Sequence, residues 1–330
     1  MSPTVGLPRL FRHHEYPGLW EDFFRILTVD VVFSPPTDKT LFNTGIKRSS
    51  ADACLPLKVL HGHVESLQDQ ADAVFIPRFI YPTAIESACP KFCALPDILR
   101  LNLPHAAIWE TPIDFKKGMA YTLSSLDSLA MALSRNPETV RTAFLQALTG
   151  TVHCTPYVQP KKPDNKQAIA LIGHTYLTQD NFVTMNLRTK IAKYGYEVLD
   201  SQSVPYDLKR QRCHPFQNRL FWGVGVDILG TALTLMNTPR VKGLIYVTSF
   251  ACGIDSIVLE LLDRQTQTTL PAKPRMRLCL DEHTGESGFD TRLEAFFDLL
   301  ERGIGAVTQP SPAEHHSPSP HTAIQERSFL

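Results

Sequence analysis

The sequence predicts an α/β protein with mostly parallel sheets, and it predicts that plan twice. Short runs rich in Val, Ile and Phe alternate with segments of helical spacing. The alternation stops at a polar stretch with two prolines, Pro160-Lys-Lys-Pro-Asp-Asn-Lys166, and then starts again. A chain of 330 residues that is 43% apolar is large enough for two cores. Domains are therefore expected at 1–158 and 167–303, joined by a linker at 159–166. The Pro-, Ser- and His-rich tail at 304–330 carries too little apolar surface to order itself.

In the first half, Thr4 to Pro8 reads as a strand leading to Arg9. The stretch Tyr16 to Leu27 is an amphipathic helix, with Leu19, Phe23, Ile26 and Leu27 on one face. Val29 to Phe33 is a strand closed by Ser34-Pro-Pro36. A helix opens at Cys54-Leu-Pro56 and runs to about Leu67. Strands follow at Asp72–Pro77 and Ala106–Trp109, with a helix at Leu95–Leu101 between them and helical spacing from Leu123 to Leu148 after them. In the second half, Ala168–Ile172 and Glu197–Leu199 are strands, with a helix at Asn181–Tyr194 between them. Phe216 to Met236 is helical. The run Gly243 to Ser249 is a buried strand that turns at Cys252 into a helix over Ile254–Leu262. Met276–Leu280 is the last strand and Thr291–Arg302 the closing helix, burying Leu293, Phe296, Phe297 and Leu300.

Lys plus Arg equals Asp plus Glu at 33 each, so no electrostatic footprint for nucleic acid or an anionic membrane is present. No apolar run approaches the roughly 18 residues of a spanning helix. The opening Met1-Ser-Pro-Thr-Val-Gly-Leu-Pro8 lacks the charged and apolar regions of a secretory leader, so a cytoplasmic protein is expected. There is no P-loop and no G-x-G-x-x-G after a strand. Gly223-Val-Gly225 sits within a helical pattern, which argues against nucleotide binding by the chain itself.

The seven cysteines are the chemically informative residues. Their odd number and wide spacing suit reduced thiols better than disulfides. Cys54 and Cys89 each precede a proline and a helix, and Cys252 lies where a strand turns into a helix. A thiolate at a helix N-terminus is favoured by free amides and the helix dipole, and iron–sulfur clusters are held by such thiolates. The competing reading is that each packs as a small hydrophobe; from the residues alone the two readings weigh about equally. Cys93, four residues after Cys89, is either a spare ligand or core. Cys279 lies in an apolar strand and is expected to be buried, whereas Cys154 and Cys213 lie in polar, loop-like surroundings. The absence of any C-x₂-C pair excludes a zinc ribbon or a ferredoxin-type run. Lys58, His61 and His63 follow Cys54 on one helix and either line a site or form a helix face. Asp281-Glu-His283 ends a strand, where Glu282 and His283 either do acid–base work or cap the loop.

Taken together, Val5-Gly-Leu-Pro-Arg9, Phe33-Ser-Pro-Pro36, Ala53-Cys-Leu-Pro-Leu-Lys58, His61-Gly-His63, Cys89-Pro-Lys91, Ala251-Cys-Gly-Ile-Asp-Ser256 and Asp281-Glu-His283 resemble one family over about residues 4 to 302. It is the acyl-CoA dehydratase activase-related family, the CoA-substrate-specific enzyme activase domain. That family is related to 2-hydroxyacyl-CoA dehydratase and benzoyl-CoA reductase subunits. The resemblance implies two flavodoxin-like (Rossmann-like) three-layer domains with an iron–sulfur cluster, of the 4Fe-4S type, in the cleft between them. Its ligands carry over to Cys54, Cys89 and Cys252, with Cys93 in reserve. Lys58, His61, Glu282 and His283 would line the site. The resemblance further implies an ATP-dependent activator as electron donor and an acyl-CoA thioester, or a partner that handles one, as acceptor. Two other readings stay open: a non-catalytic electron-transfer or regulatory subunit, and a metal-free α/β binding domain.

Overall fold

A computed structural model of the chain describes residues 3–10, 18–154, 166–216, 220–268 and 273–303. The expected linker at 159–166, except its last residue, and the expected tail at 304–330 lie outside the described residues. Ten strands are described: β1 (Val5–Leu7), β2 (Val31–Phe33), β3 (Ala73–Phe75), β4 (Arg78–Tyr81), β5 (Ile108–Trp109), β6 (Pro112–Asp114), β7 (Ala168–Gly173), β8 (Glu197–Leu199), β9 (Val241–Ser249) and β10 (Arg275–Leu280).

The strands form two four-stranded parallel sheets, ordered β2-β1-β3-β5 and β10-β9-β7-β8. Counted within each four-stranded sheet, both follow the order 2-1-3-4 of a doubly wound, flavodoxin-like sheet. A small parallel pair, β4 with β6, extends the first lobe. Strands so short hold together because helices cover them. The aromatic set Trp20, Phe23, Phe24, Phe75 and Phe144 packs between the first sheet and the helices Leu19–Ile26 and Pro137–Cys154, with ring centroids 4.6 to 6.2 Å apart. In the second lobe β7 and β9 are buried almost throughout, as expected of central parallel strands covered on both faces.

Several sequence expectations change in the structure. A helix at Lys39–Arg48 is capped by the Asp38 side chain, which accepts from Leu41 N–H; its apolar pattern is too sparse to announce it. The expected helix at Asn181–Tyr194 shortens to Leu187–Lys193, because Met185 and Asn186 adopt positive φ angles. Cys279 is exposed. β10 is an edge strand whose residues alternate, Leu278 and Leu280 inward and Arg277 and Cys279 outward. Cys213 ends the helix Tyr206–Cys213 and is buried in the second core, which pushes its thiol up to about 12. Among the described residues no helix is long and apolar enough to cross a membrane.

The lobes are joined by polar contacts as well as packing. One of these contains a buried histidine. Ser34 Oγ accepts from Arg9 N–H at 2.9 Å and lies 2.8 Å from His63 Nδ1. His63 Nε2 lies 3.1 Å from Thr37 Oγ1, which donates to Asp180 of the other lobe at 2.5 Å. The chain is satisfied by a neutral ring that accepts at Nδ1 and donates at Nε2. Burial first, and then the Arg9 charge, push the imidazole down to about 4. Because the folded value lies below the unfolded 6.5, this group favours folding above pH 6.5, and that contribution is lost as pH falls toward 4. A shift of that size corresponds to roughly 3 kcal/mol. Urea denaturation at pH 7.5 and 4.5 should show a fall in stability of that order, and His63→Gln should flatten it. An equally steep fall in the variant would show that other groups govern acid stability.

Candidate functional site

In a doubly wound sheet the crevice forms at the carboxyl ends of the two strands where the order reverses. In the second lobe these are β7 and β9. β7 ends at Gly173, whose φ is +148°; a Cβ there would lie 2.3 Å from the Val247 carbonyl oxygen, so only glycine fits. His174 follows at once. β9 ends at Ser249, and the chain turns through Phe250 and Ala251 into Cys252 and the helix Gly253–Thr268. Ala251 has a φ of 62°, a left-handed conformation that is strained for any residue with a side chain.

Three groups meet at this point. His174 Nε2 lies 3.1 Å from Asp255 Oδ1 and 3.5 Å from Cys252 Sγ. The three ligand-type atoms lie within 4.8 Å of one another. Asp255 is held further by the Tyr246 hydroxyl and the Ser249 N–H, each donating at 3.2 Å. Burial pushes the imidazole down, but the Asp255 carboxylate outweighs it and holds His174 well above its ordinary range. Burial likewise raises Asp255, and the histidine charge with three hydrogen bonds more than reverses that. His174 Nδ1 is buried with no hydrogen-bond partner. The ring stacks on Tyr176 at 4.9 Å, and Tyr176 stacks on Phe92 at 5.6 Å.

The turns that carry the other two predicted thiols are tied to this region from the first lobe by hydrogen bonds. Cys54 immediately precedes the helix Leu55–Glu65, and Leu55 N–H donates to Ser249 Oγ at 2.9 Å, tying that turn to the end of β9. Cys89 precedes the short helix Pro90–Cys93, which carries Phe92 into the aromatic stack. Lys91 Nζ donates to the Asp52 carbonyl at 3.3 Å and links the Cys89 turn to the Cys54 turn. Ser87 N–H donates to the Phe221 carbonyl at 2.8 Å, docking that segment on the second lobe. Burial raises the Cys54 thiol; Leu57 N–H and Lys91 oppose it, and the nearby thiols of Cys252 and Cys89 add to it. The Tyr176 phenol is pushed well above its ordinary range by burial and then by Cys252, Cys54, Asp255 and Cys89.

The remaining predicted residues are distributed less evenly. Lys58 is buried, donating to Glu282 across the lobe boundary at 2.5 Å and to the Ala51 carbonyl at 3.0 Å. Lys58 and Glu282 thus form a clasp beside the Cys54 turn. His61 is fully buried with both ring nitrogens engaged, Nδ1 with the Leu57 carbonyl at 2.7 Å and Nε2 with Asn102 at 2.9 Å, which makes it a packed residue. His283 is exposed, and its backbone N–H donates to Asp281 Oδ1 at 2.9 Å. Cys93 is half-buried against the first core, and its carbonyl accepts from Arg78. His174, Tyr176 and Asp255 were missed as site residues. The available signal was positional: His174 directly follows an apolar strand, and Asp255 stands in the first turn of the helix after Cys252.

No curated protein matches the chain. Among solved structures, the Streptococcus pneumoniae AdcAII protein aligns with 91% of this chain and 98% of its own at 12% identity, with a TM-score of 0.26. A likeness that slight bears on neither fold nor chemistry. A family model does match, described as the CoA enzyme activase uncharacterised domain, over residues 4–204. That span takes in Cys54, Cys89, His174 and Tyr176, and it ends before the turn carrying Cys252 and Asp255. With more than half of its length matched, the chain belongs to the family of CoA enzyme activase uncharacterised domains.

Proposed function

We propose that Cys54, Cys89 and Cys252 hold an iron–sulfur cluster between the two lobes. In this reading the protein passes electrons toward an acyl-CoA thioester, or toward a partner that reduces or dehydrates one. The observation that carries this is the convergence of three turns distant in sequence, through the Leu55–Ser249 and Lys91–Asp52 hydrogen bonds and the stack of His174, Tyr176 and Phe92. The donor set suits the group: three free thiols, two of them at helix N-termini with a proline in the first turn. When bound, such a cluster supplies a one-electron carrier. The chain's own residues would do the rest. Leu57 N–H offsets part of the burial that raises the Cys54 thiol, the stack of His174, Tyr176 and Phe92 would line the site, and the Lys58–Glu282 pair would hold the lobes together beside it. An ATP-dependent activator is the donor this reading calls for: it loses the electron that the site takes up. The same site serves a catalytic subunit or an electron-transfer subunit, and turnover of acyl-CoA by the purified chain separates the two.

A second reading is favoured by one observation, the His174, Cys252 and Asp255 atoms lying within 4.8 Å of one another. Such a set suits a single transition-metal ion such as zinc. Metal and acid-labile sulfide should be counted on anaerobically purified full-length protein. Iron and sulfide in equal amounts, with brown absorbance, are the expected result. Stoichiometric zinc without sulfide supports the second reading, and a protein with neither supports a metal-free binding domain.

A further inference from the structure

We propose that His174 is the residue that positions Cys252 as a cluster ligand and tunes it, donating its Nε2–H to the sulfur while Asp255 fixes the ring. The inference rests on the cluster reading above. The geometry gives His174 this role and not that of a ligand. Its Nε2 lies 3.5 Å from Cys252 Sγ, within hydrogen-bonding reach of sulfur. A nitrogen ligating another iron of the same cluster would stand at a different corner, away from that sulfur. The same nitrogen lies 3.1 Å from Asp255 Oδ1, so its proton is shared between carboxylate and sulfur. This is not the relay of a cysteine hydrolase, in which the two ring nitrogens serve the thiol and the carboxylate separately.

The ring has little freedom. Asp255 is anchored by Tyr246 and by the Ser249 backbone, and Ser249 Oγ in turn holds the Cys54 turn. Tyr176 covers one face of the imidazole. Nδ1 has no partner, so the ring's polar orientation depends on Nε2 alone. One buried network thus fixes the ligand of one lobe and the helix N-terminus of the other. A hydrogen bond donated to a ligand sulfur draws electron density from the cluster and stabilises its reduced form. Removing it should move the reduction potential to a more negative value without removing a ligand.

The test uses full-length protein reconstituted anaerobically with iron and sulfide. Wild type, His174→Gln and His174→Leu are titrated by following the EPR signal of the reduced cluster. We expect equal iron and sulfide in all three, a negative shift of the midpoint in His174→Leu, and partial recovery in His174→Gln, which keeps an N–H donor. Full cluster content with the same midpoint in all three overturns the role of His174. Because the Leu variant alters packing against Tyr176, a second readout needs no substitution. In wild type carrying ¹⁵N-histidine, pulsed EPR should detect a weak nitrogen coupling to the reduced cluster. A strong coupling means direct ligation, and no coupling means no contact; either result overturns the proposal. Wild-type protein that takes up no cluster refutes the cluster reading itself, a result distinct from a loaded protein whose potential ignores His174.

Discussion

Serine in place of Cys54, Cys89 or Cys252, one at a time, is expected to leave the fold intact and remove the cluster. Serine is slightly smaller than cysteine and keeps a polar atom in place, so little packing is lost. What it lacks is a readily formed anion, and a thiolate is what an iron–sulfur cluster binds. Changing a residue that only supports a metal ligand typically lowers affinity about 10- to 100-fold, so losing a ligand should cost at least that. Iron content after desalting should fall to near background in each variant. Helical circular dichroism should be unchanged. Two other thiols serve as controls. Cys279 is exposed on β10, and its serine variant should retain full iron. Cys213 is buried in the second core, its thiol 3.6 Å from the Val226 carbonyl; its serine variant should lose stability but keep iron. Cys93→Ser decides whether the reserve thiol is used. Full iron in the Cys54 and Cys252 serine variants would sink the assignment, because the two residues represent the two lobes.

The sequence carried the alternation of strand and helix clearly, because central parallel strands such as β7 and β9 are continuous apolar runs bounded by turn residues. It also carried the three cysteine turns, because Pro56 and Pro90, just beyond Cys54 and Cys89, and Gly253 after Cys252 mark helix starts without reference to tertiary contacts. The partners of Cys252 were hidden. His174 and Asp255 are 81 positions apart in the chain, and only the adjacency of β7 and β9 brings them together. His61 misled for the opposite reason. It stands on the helix that begins after Cys54, yet the helix turns it toward Asn102 and its own backbone. Spacing along a helix gives a face, but what covers that face is decided by the rest of the fold. Cys279 shows the same limit. An apolar run reads as buried, and only the sheet order reveals that its strand is an edge with one side open.

Gly62→Ala should destabilise the first lobe by about 2 kcal/mol and loosen the Cys54 turn with it. The helices Lys39–Arg48 and Leu55–Glu65 cross with a glycine from each at the contact. A Cβ on Gly62 would lie 2.2 Å from the Leu41 carbonyl oxygen and 2.9 Å from its Cδ2; one on Gly45 would lie 2.1 Å from the Lys58 carbonyl oxygen. The obstruction in both cases is backbone, so the helices must separate. Overpacking of this kind costs about 3 kcal/mol at the upper end of its usual range. Alanine's better helix preference returns about 1 kcal/mol, leaving the net loss stated. Gly150→Ala provides the contrast, since a Cβ there meets nothing within 4 Å and the helix preference acts alone. Urea midpoints should therefore move in opposite directions for the two variants. The crossing also sets where the Leu55–Glu65 helix begins, and that helix holds Cys54 beside Ser249 at the end of β9. Parting the helices should weaken the Leu55–Ser249 hydrogen bond and lower iron retention in Gly62→Ala but not in Gly150→Ala. A Gly62→Ala protein as stable as wild type would mean that the two helices are not in such close contact. The Cys54 turn would then owe its position to the second lobe alone.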